Sequence, residues 1–120
     1  MPPPSQLAIA TSSVTRLLKE EASYHKELAQ QEAQIKTLQE KIESGQGNED
    51  GNAEFIIKQH QTAVEETKAV FVSLRERIEA AVLKLEDQIQ VREQSGAPDQ
   101  ELEAAKAALG QAKAEQNGSS

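Results

Sequence analysis

Residues 54–94 read EFIIKQHQTAVEETKAVFVSLRERIEAAVLKLEDQIQVREQ, an uninterrupted charged run with no Gly and no Pro. Within it apolar residues recur at Ile57, Val64, Phe71, Leu74, Ile78, Ala81 and Leu85. That spacing of three and four marks a helix that lays one seam against partner helices. Written as a heptad, Ile57, Val64, Phe71, Ile78 and Leu85 take position a, and His60, Thr67, Leu74, Ala81 and Gln88 take position d. Phe55, Ile56, Ala63, Val70, Val82 and Ile89 are placed beside this seam. A stripe that wide needs two neighbours. At 1.5 Å per residue the run makes a rod of roughly 60 Å.

The neighbours stand on either side in the chain. Before the run, Leu7, Val14, Glu21, Leu28, Ile35 and Ile42 fall at a, and Ala10, Leu17, Tyr24, Gln31 and Leu38 at d. Leu18 and His25 widen that stripe. Ser5 is suited to cap this helix, since its hydroxyl can accept a first-turn N–H. Thr11, Ser12 and Ser13 are weak helix formers and leave Ser13 as an alternative start. After the run, Leu102, Ala105, Leu109 and Ala112 form a short, Ala-rich seam. This third helix buries the least area and is expected to fray first.

Two breaks separate the three. Ser44-Gly45-Gln46-Gly47-Asn48-Glu49-Asp50-Gly51-Asn52 carries three Gly, two Asn and an Asp, and marks a reversal point. Ser95-Gly96-Ala97-Pro98-Asp99 is the second, with Gly suited to a helix C′ position and Pro98 to a first turn. The expected fold is all-α: an elongated, antiparallel three-helix bundle, coiled-coil-like and up-down-up. It is read as a single domain over residues 1–120, with helices at about 6–43, 54–94 and 98–115. A flexible loop is expected at 44–53 and a disordered tail at 116–120.

Composition agrees with a thin seam rather than a thick core. The 120 residues include two Phe, one Tyr, no Trp and no Cys, and carry a formal charge of -7. Thiol chemistry and disulfides are therefore excluded. Residues 5–43, 44–53, 54–94 and 95–120 carry net charges of -1, -2, -2 and -2, so none of these parts has the basic excess that drives nucleic-acid or anionic-membrane binding. No stretch is apolar enough to span a bilayer, and Met1-Pro2-Pro3-Pro4-Ser5 has no signal-peptide pattern. A soluble cytoplasmic protein whose partner is another protein is the expectation.

No catalytic constellation is found. His25 and His60 lack the spacing of helical metal sites and read as seam residues. The Gly-containing loop has no Gly-Lys-Ser/Thr ending, and Asn48, Asp50 and Gly51 lack the rest of a calcium loop. No enzyme activity, cofactor, metal or small-molecule substrate is expected. Glu21 and Gln31 interrupt the first seam. They either fix register or turn part of that face toward a partner.

The first helix carries a set of residues found together in one family. Arg16-Leu17, Lys19-Glu20, Tyr24, Lys26-Glu27 and Gln31-Glu32 stand in register, and the stretch resembles the signature of tubulin-folding cofactor A. The second helix is similar to that family at Ile57-Lys58-Gln59, Glu66-Thr67-Lys68 and Arg77-Ile78-Glu79-Ala80-Ala81, with Leu83 and Leu85 following. The resemblance covers roughly residues 7–112. The loop at Ser44–Asn52 looks longer than the family's, and the third helix is plainer.

The resemblance implies a non-enzymatic chaperone of the cytoplasm, associated with the cytoskeleton. It would capture β-tubulin released by the cytosolic chaperonin and hand it on toward α/β-heterodimer assembly. The matched positions expected to meet β-tubulin are Arg16, Lys19, Glu20, Tyr24, Glu27, Glu32, Lys58, Gln59, Arg77 and Glu79. Tyr24 is also a d residue, which points it toward the core. The competing reading is a structural coiled-coil scaffold that self-associates without tubulin specificity. Monomer and homodimer both remain open.

Overall fold

The computed structural model describes residues 3–46, 51–96 and 99–118. Three helices make up the described chain: α1 (Gln6–Glu43), α2 (Ala53–Gln94) and α3 (Gln100–Gly118). The all-α class expected from the heptads is the one found. By contact the chain divides into two compact units, Met1–Glu20 with Leu74–Ser120, and Glu21–Ser73. Helices α1 and α2 each contribute to both.

The first unit is a three-helix bundle. Leu7, Ala10, Val14, Leu17 and Leu18 from α1 are buried together with Leu74, Ile78, Val82, Leu85 and Ile89 from α2. From α3 come Leu102, Ala105, Ala108 and Ala112, with Ala105 and Ala112 fully enclosed. Each large aliphatic side chain buried in this way contributes about 1.5–3 kcal/mol. Ion pairs show α2 and α3 to be antiparallel: Lys106 to Glu93 at 3.3 Å and Lys113 to Glu86 at 3.4 Å.

The second unit is a two-helix hairpin made of the end of α1 and the start of α2. Its pairing is antiparallel. The Tyr24 ring meets Phe71 edge-on at 6.3 Å, and His25 lies against the same ring at 4.5 Å. Here α2 buries Ala53, Val64, Thr67 and Phe71. On the α1 side Tyr24, Leu28, Gln31, Ile35, Leu38 and Ile42 are all only half-buried. Two helices seal one another along a single line, so each flank of the seam stays partly open. The Thr67 hydroxyl satisfies itself by donating to the Ala63 carbonyl at 3.0 Å. Gln31 Oε1 has no hydrogen-bond donor.

The helix ends follow from local chemistry. Ser5 caps α1: its Oγ accepts the Ala8 N–H at 3.0 Å. At the other end the Gln46 N–H reaches the Lys41 carbonyl and the Gly45 N–H reaches that of Ile42. This double closure needs a left-handed residue, and Gly45 supplies it with φ +83. After α2, Gly96 is likewise left-handed, at φ +79, and its N–H reaches the Glu93 carbonyl.

Several expected boundaries differ. Helix α2 starts at Ala53 rather than Glu54, because the Asn52 carbonyl already accepts the Ile56 N–H. Helix α3 starts at Gln100, capped by Asp99, whose Oδ1 accepts the Leu102 N–H at 2.7 Å. It continues to Gly118, so Gln116–Gly118 are helical where a disordered tail was expected. Pro98, loop residues 47–50 and Ser119–Ser120 lie outside the described residues. Phe55, placed beside the seam, is 63% exposed. It stands two residues from Ile57, roughly 200° around the helix, and so faces away.

Candidate partner-binding surface

In the three-helix unit the expected contact residues Arg16, Lys19 and Glu20 lie on the solvent side of α1, and Arg77 on that of α2. Val14, Leu17 and Leu18 point inward and fix this orientation, since at about 100° per residue Arg16, Lys19 and Glu20 fall outside the arc these three span. The pairing of α1 with α2 brings Arg77 Nη2 to 3.9 Å from Glu20 Oε2. Both side chains are well exposed, so the pair is weak. A cleft of about 220 Å³ lies around it, lined by Ser13, Arg16, Leu17, Glu20 and Arg77. An adjoining open cleft of about 400 Å³ shares Arg16 and is lined by Thr11, Ser12, Thr15 and Lys19.

Three of the expected residues, Arg16, Glu20 and Arg77, thus share one depression, with Lys19 in the adjoining one. Glu79 does not join them. It is exposed, but two residues from Arg77 it looks to the other side of α2. In the hairpin unit Glu27, Lys58 and Gln59 are exposed. Glu32 lines a cleft of about 200 Å³ with Ile35, Lys36, Gln39, Gln61, Val64 and Glu65. Tyr24 is half-buried with its edge on Phe71, which makes packing its first task.

From sequence, Thr11, Ser12 and Ser13 register only as weak helix formers. In this hydroxyl-rich stretch Thr11, Ser12 and Thr15 line the larger cleft beside Arg16, and Ser13 lines the smaller one. The i, i+4 spacings of Ser12 with Arg16 and Thr15 with Lys19 are the signal that could have placed it there.

No group of three or more His, Cys, Asp or Glu among the described residues could hold a metal ion. No described helix is long and apolar enough to cross a membrane. The clefts are open and shallow, and the arrangement suits reversible contact with a broad surface rather than enclosure of a small molecule.

The family model described as tubulin binding cofactor A matches residues 2–109. Among solved structures, the crystal structure of tubulin folding cofactor A from Arabidopsis thaliana superposes with a TM-score of 0.76 at 24% sequence identity. The match covers 89% of this chain and 92% of that one, and it shows a shared fold. No curated protein matches the chain.

Proposed function

The chain belongs to the tubulin binding cofactor A family, and from that premise we propose that it captures β-tubulin released by the cytosolic chaperonin and passes it on toward α/β-tubulin heterodimer assembly. The family supports a tubulin-folding cofactor role. The β-tubulin specificity and the hand-over are this proposal's own. The observation that carries it is the family match over residues 2–109, which contains the whole of the first-helix signature.

The proposed contact residues are Arg16, Lys19, Glu20, Glu27, Glu32, Lys58, Gln59, Arg77 and Glu79, with Tyr24 supporting them from the hairpin seam. A shallow, solvated surface of this kind releases its partner readily, because exposed ion pairs contribute little each. A hand-over step requires that. The role calls for no covalent chemistry, nucleotide or metal, and places the protein in the cytoplasm beside the microtubule cytoskeleton.

Pull-down with purified β-tubulin tests the proposal, with α-tubulin as the comparison. Retention of β-tubulin in preference to α-tubulin is expected. No retained tubulin would remove the proposal.

A second reading, self-association, has one observation behind it. Leu28, Ile35, Leu38 and Ile42 are only half-buried in the hairpin unit, and a second copy could cover them. Sedimentation equilibrium decides it: a single monomeric species at tens of micromolar leaves this reading without support.

A further inference from the structure

The net charge conceals a local inversion. No Asp or Glu occurs in residues 1–19, in a chain with 20 acidic and 13 basic residues. Glu20 is the first carboxylate. On α1, Arg16 and Lys19 stand one turn apart and exposed, each preceded by a hydroxyl four residues earlier, Ser12 and Thr15. On α2, Arg77 shares the Arg16 cleft, and Lys84 follows two turns later along the same edge.

The pairing pattern separates these cations from those of the α2–α3 junction; Arg75, which among the described residues also makes no ion pair, stands alone on the other side of α2, two residues from Arg77. Arg92, Lys106 and Lys113 are all held by carboxylates across the α2–α3 junction. Among the described residues Arg16, Lys19 and Lys84 make no ion pair, and Arg77 has only its 3.9 Å contact with Glu20. The cations at the α2–α3 junction therefore close the fold, while the α1–α2 edge groups four cations of which one is only loosely held.

We propose that Arg16, Lys19, Arg77 and Lys84, with the hydroxyls of Ser12, Ser13 and Thr15, form a docking face for an acidic peptide segment of the protein partner; this rests on the reading of the chain as a tubulin-binding cofactor. Guanidinium groups take carboxylates in paired, planar hydrogen bonds, and lysines add charge without fixed geometry. The hydroxyls can donate to the remaining carboxylate oxygens. Glu20 acts as an internal competitor: an incoming carboxylate displaces it from Arg77. A polynucleotide fits less well. The face carries no aromatic ring on which a base could stack, and the chain's overall charge of -7 opposes a long polyanion.

The test is fluorescence anisotropy of a labelled Glu-rich decapeptide titrated with the full chain at low and physiological salt. Binding that weakens as salt rises is expected. The double variant Arg16→Glu/Lys19→Glu is expected to weaken it at least about tenfold. Glu20→Gln is expected to tighten it about two- to threefold, the size of an exposed ion pair. Lys41→Glu/Arg75→Glu makes the same change in net charge away from the face and is expected to leave binding near wild type. Circular dichroism confirms that each variant is folded. Equal loss in both double variants, no peptide binding, or tighter binding of a decamer oligodeoxynucleotide than of the peptide would overturn the proposal. The same variants in the tubulin pull-down separate the two claims. If wild type and Arg16→Glu/Lys19→Glu retain β-tubulin equally, the face fails and the cofactor reading stands. If wild type retains no tubulin while the peptide binds as described, the reading fails and the acidic-peptide face stands.

Discussion

Arg92 Nη1 donates to Asp99 Oδ2 at 2.9 Å, joining the last turn of α2 to the cap of α3. Asp99 works in both directions, because its other oxygen accepts the Leu102 N–H at 2.7 Å. Arg92 also donates from both terminal nitrogens to Glu101 Oε1 at 3.1 Å. The Ser5 hydroxyl reaches the same Glu101 carboxylate from the start of α1 at 3.1 Å. One arginine and two carboxylates thus hold all three helices at this end of the bundle.

The Asp99 cap gives stability a defined acid limb. The Leu102 N–H and then the Arg92 guanidinium hold the Asp99 carboxyl below its usual value. A depressed carboxyl stabilises the fold above its unfolded value, and that contribution fades as pH falls through the lowered one. Arg92 is shifted the other way, upward through Asp99 and then Glu101, so its charge persists across the working range. Asp99→Asn keeps a capping oxygen and loses the charge. It is expected to retain most of the stability at neutral pH while flattening the loss below about pH 4. Asp99→Ala is expected to lower stability at neutral pH as well. Thermal melts from pH 2 to 7 check both, and an Asp99→Asn profile parallel to wild type would contradict the account.

Helix α3 packs by smallness. Ala105 and Ala112 are fully enclosed and Ala108 nearly so. Ala105→Leu is expected to cost about 1–3 kcal/mol by overpacking. Ala104→Leu, one residue away on an exposed position, is expected to stay within about 0.5 kcal/mol of wild type. Urea denaturation of both variants measures this. A stabilised Ala105→Leu would mean that α3 sits further from α2 than its burial implies.

Gly45 carries φ +83 and an added Cβ there would meet nothing within 4 Å. The cost of Gly45→Ala is therefore conformational alone, roughly 1–2 kcal/mol. Gly45→Asn is expected to recover part of it, since Asn tolerates the left-handed region. A D-alanine introduced by semisynthesis is expected to match or exceed glycine. Urea midpoints rank the series, and equal stability of the L- and D-alanine proteins would refute the strain.

The heptad legible in residues 54–94 located the core because burial tracks position: Val64, Phe71, Leu74, Ile78 and Leu85 are all enclosed. It misplaced Phe55, where apolar character stood in for the angle around the helix. The start of α3 was read from Pro98, yet the capping bond comes from Asp99. A side-chain acceptor decides that boundary, and a fixed φ merely permits it. The matched residues of the candidate surface were legible one by one. Their grouping was not, since the meeting of Glu20 with Arg77 depends on how α1 and α2 register across the intervening turn. Ala108, absent from the expected seam, is buried because three helices leave α3 a wider inward face than one heptad stripe suggests.

The hairpin unit, rather than α3 as the sequence suggests, is expected to open first, because α3 buries Leu102, Ala105, Ala108 and Ala112. From Glu21 to Glu43 α1 contains no fully buried residue, whereas from Leu7 to Leu18 it contains five. Opening free energy follows buried apolar contact, so amides of residues 24–42 should exchange faster than those of 10–20 although both belong to one helix. Phe71 is the hairpin's main anchor, 8% exposed and touching both Tyr24 and His25. Phe71→Ala is expected to cost about 3 kcal/mol, the low end for a buried aromatic because the open seam can close over the gap. That loss should speed exchange mainly in residues 21–73. Leu85→Ala, at a fully enclosed position, is expected to cost about 3–5 kcal/mol and to speed exchange in the three-helix unit as well. Native-state hydrogen exchange read by mass spectrometry resolves the two regions. Uniform protection along α1 would show that the chain opens only as a whole, and would reject the ordering.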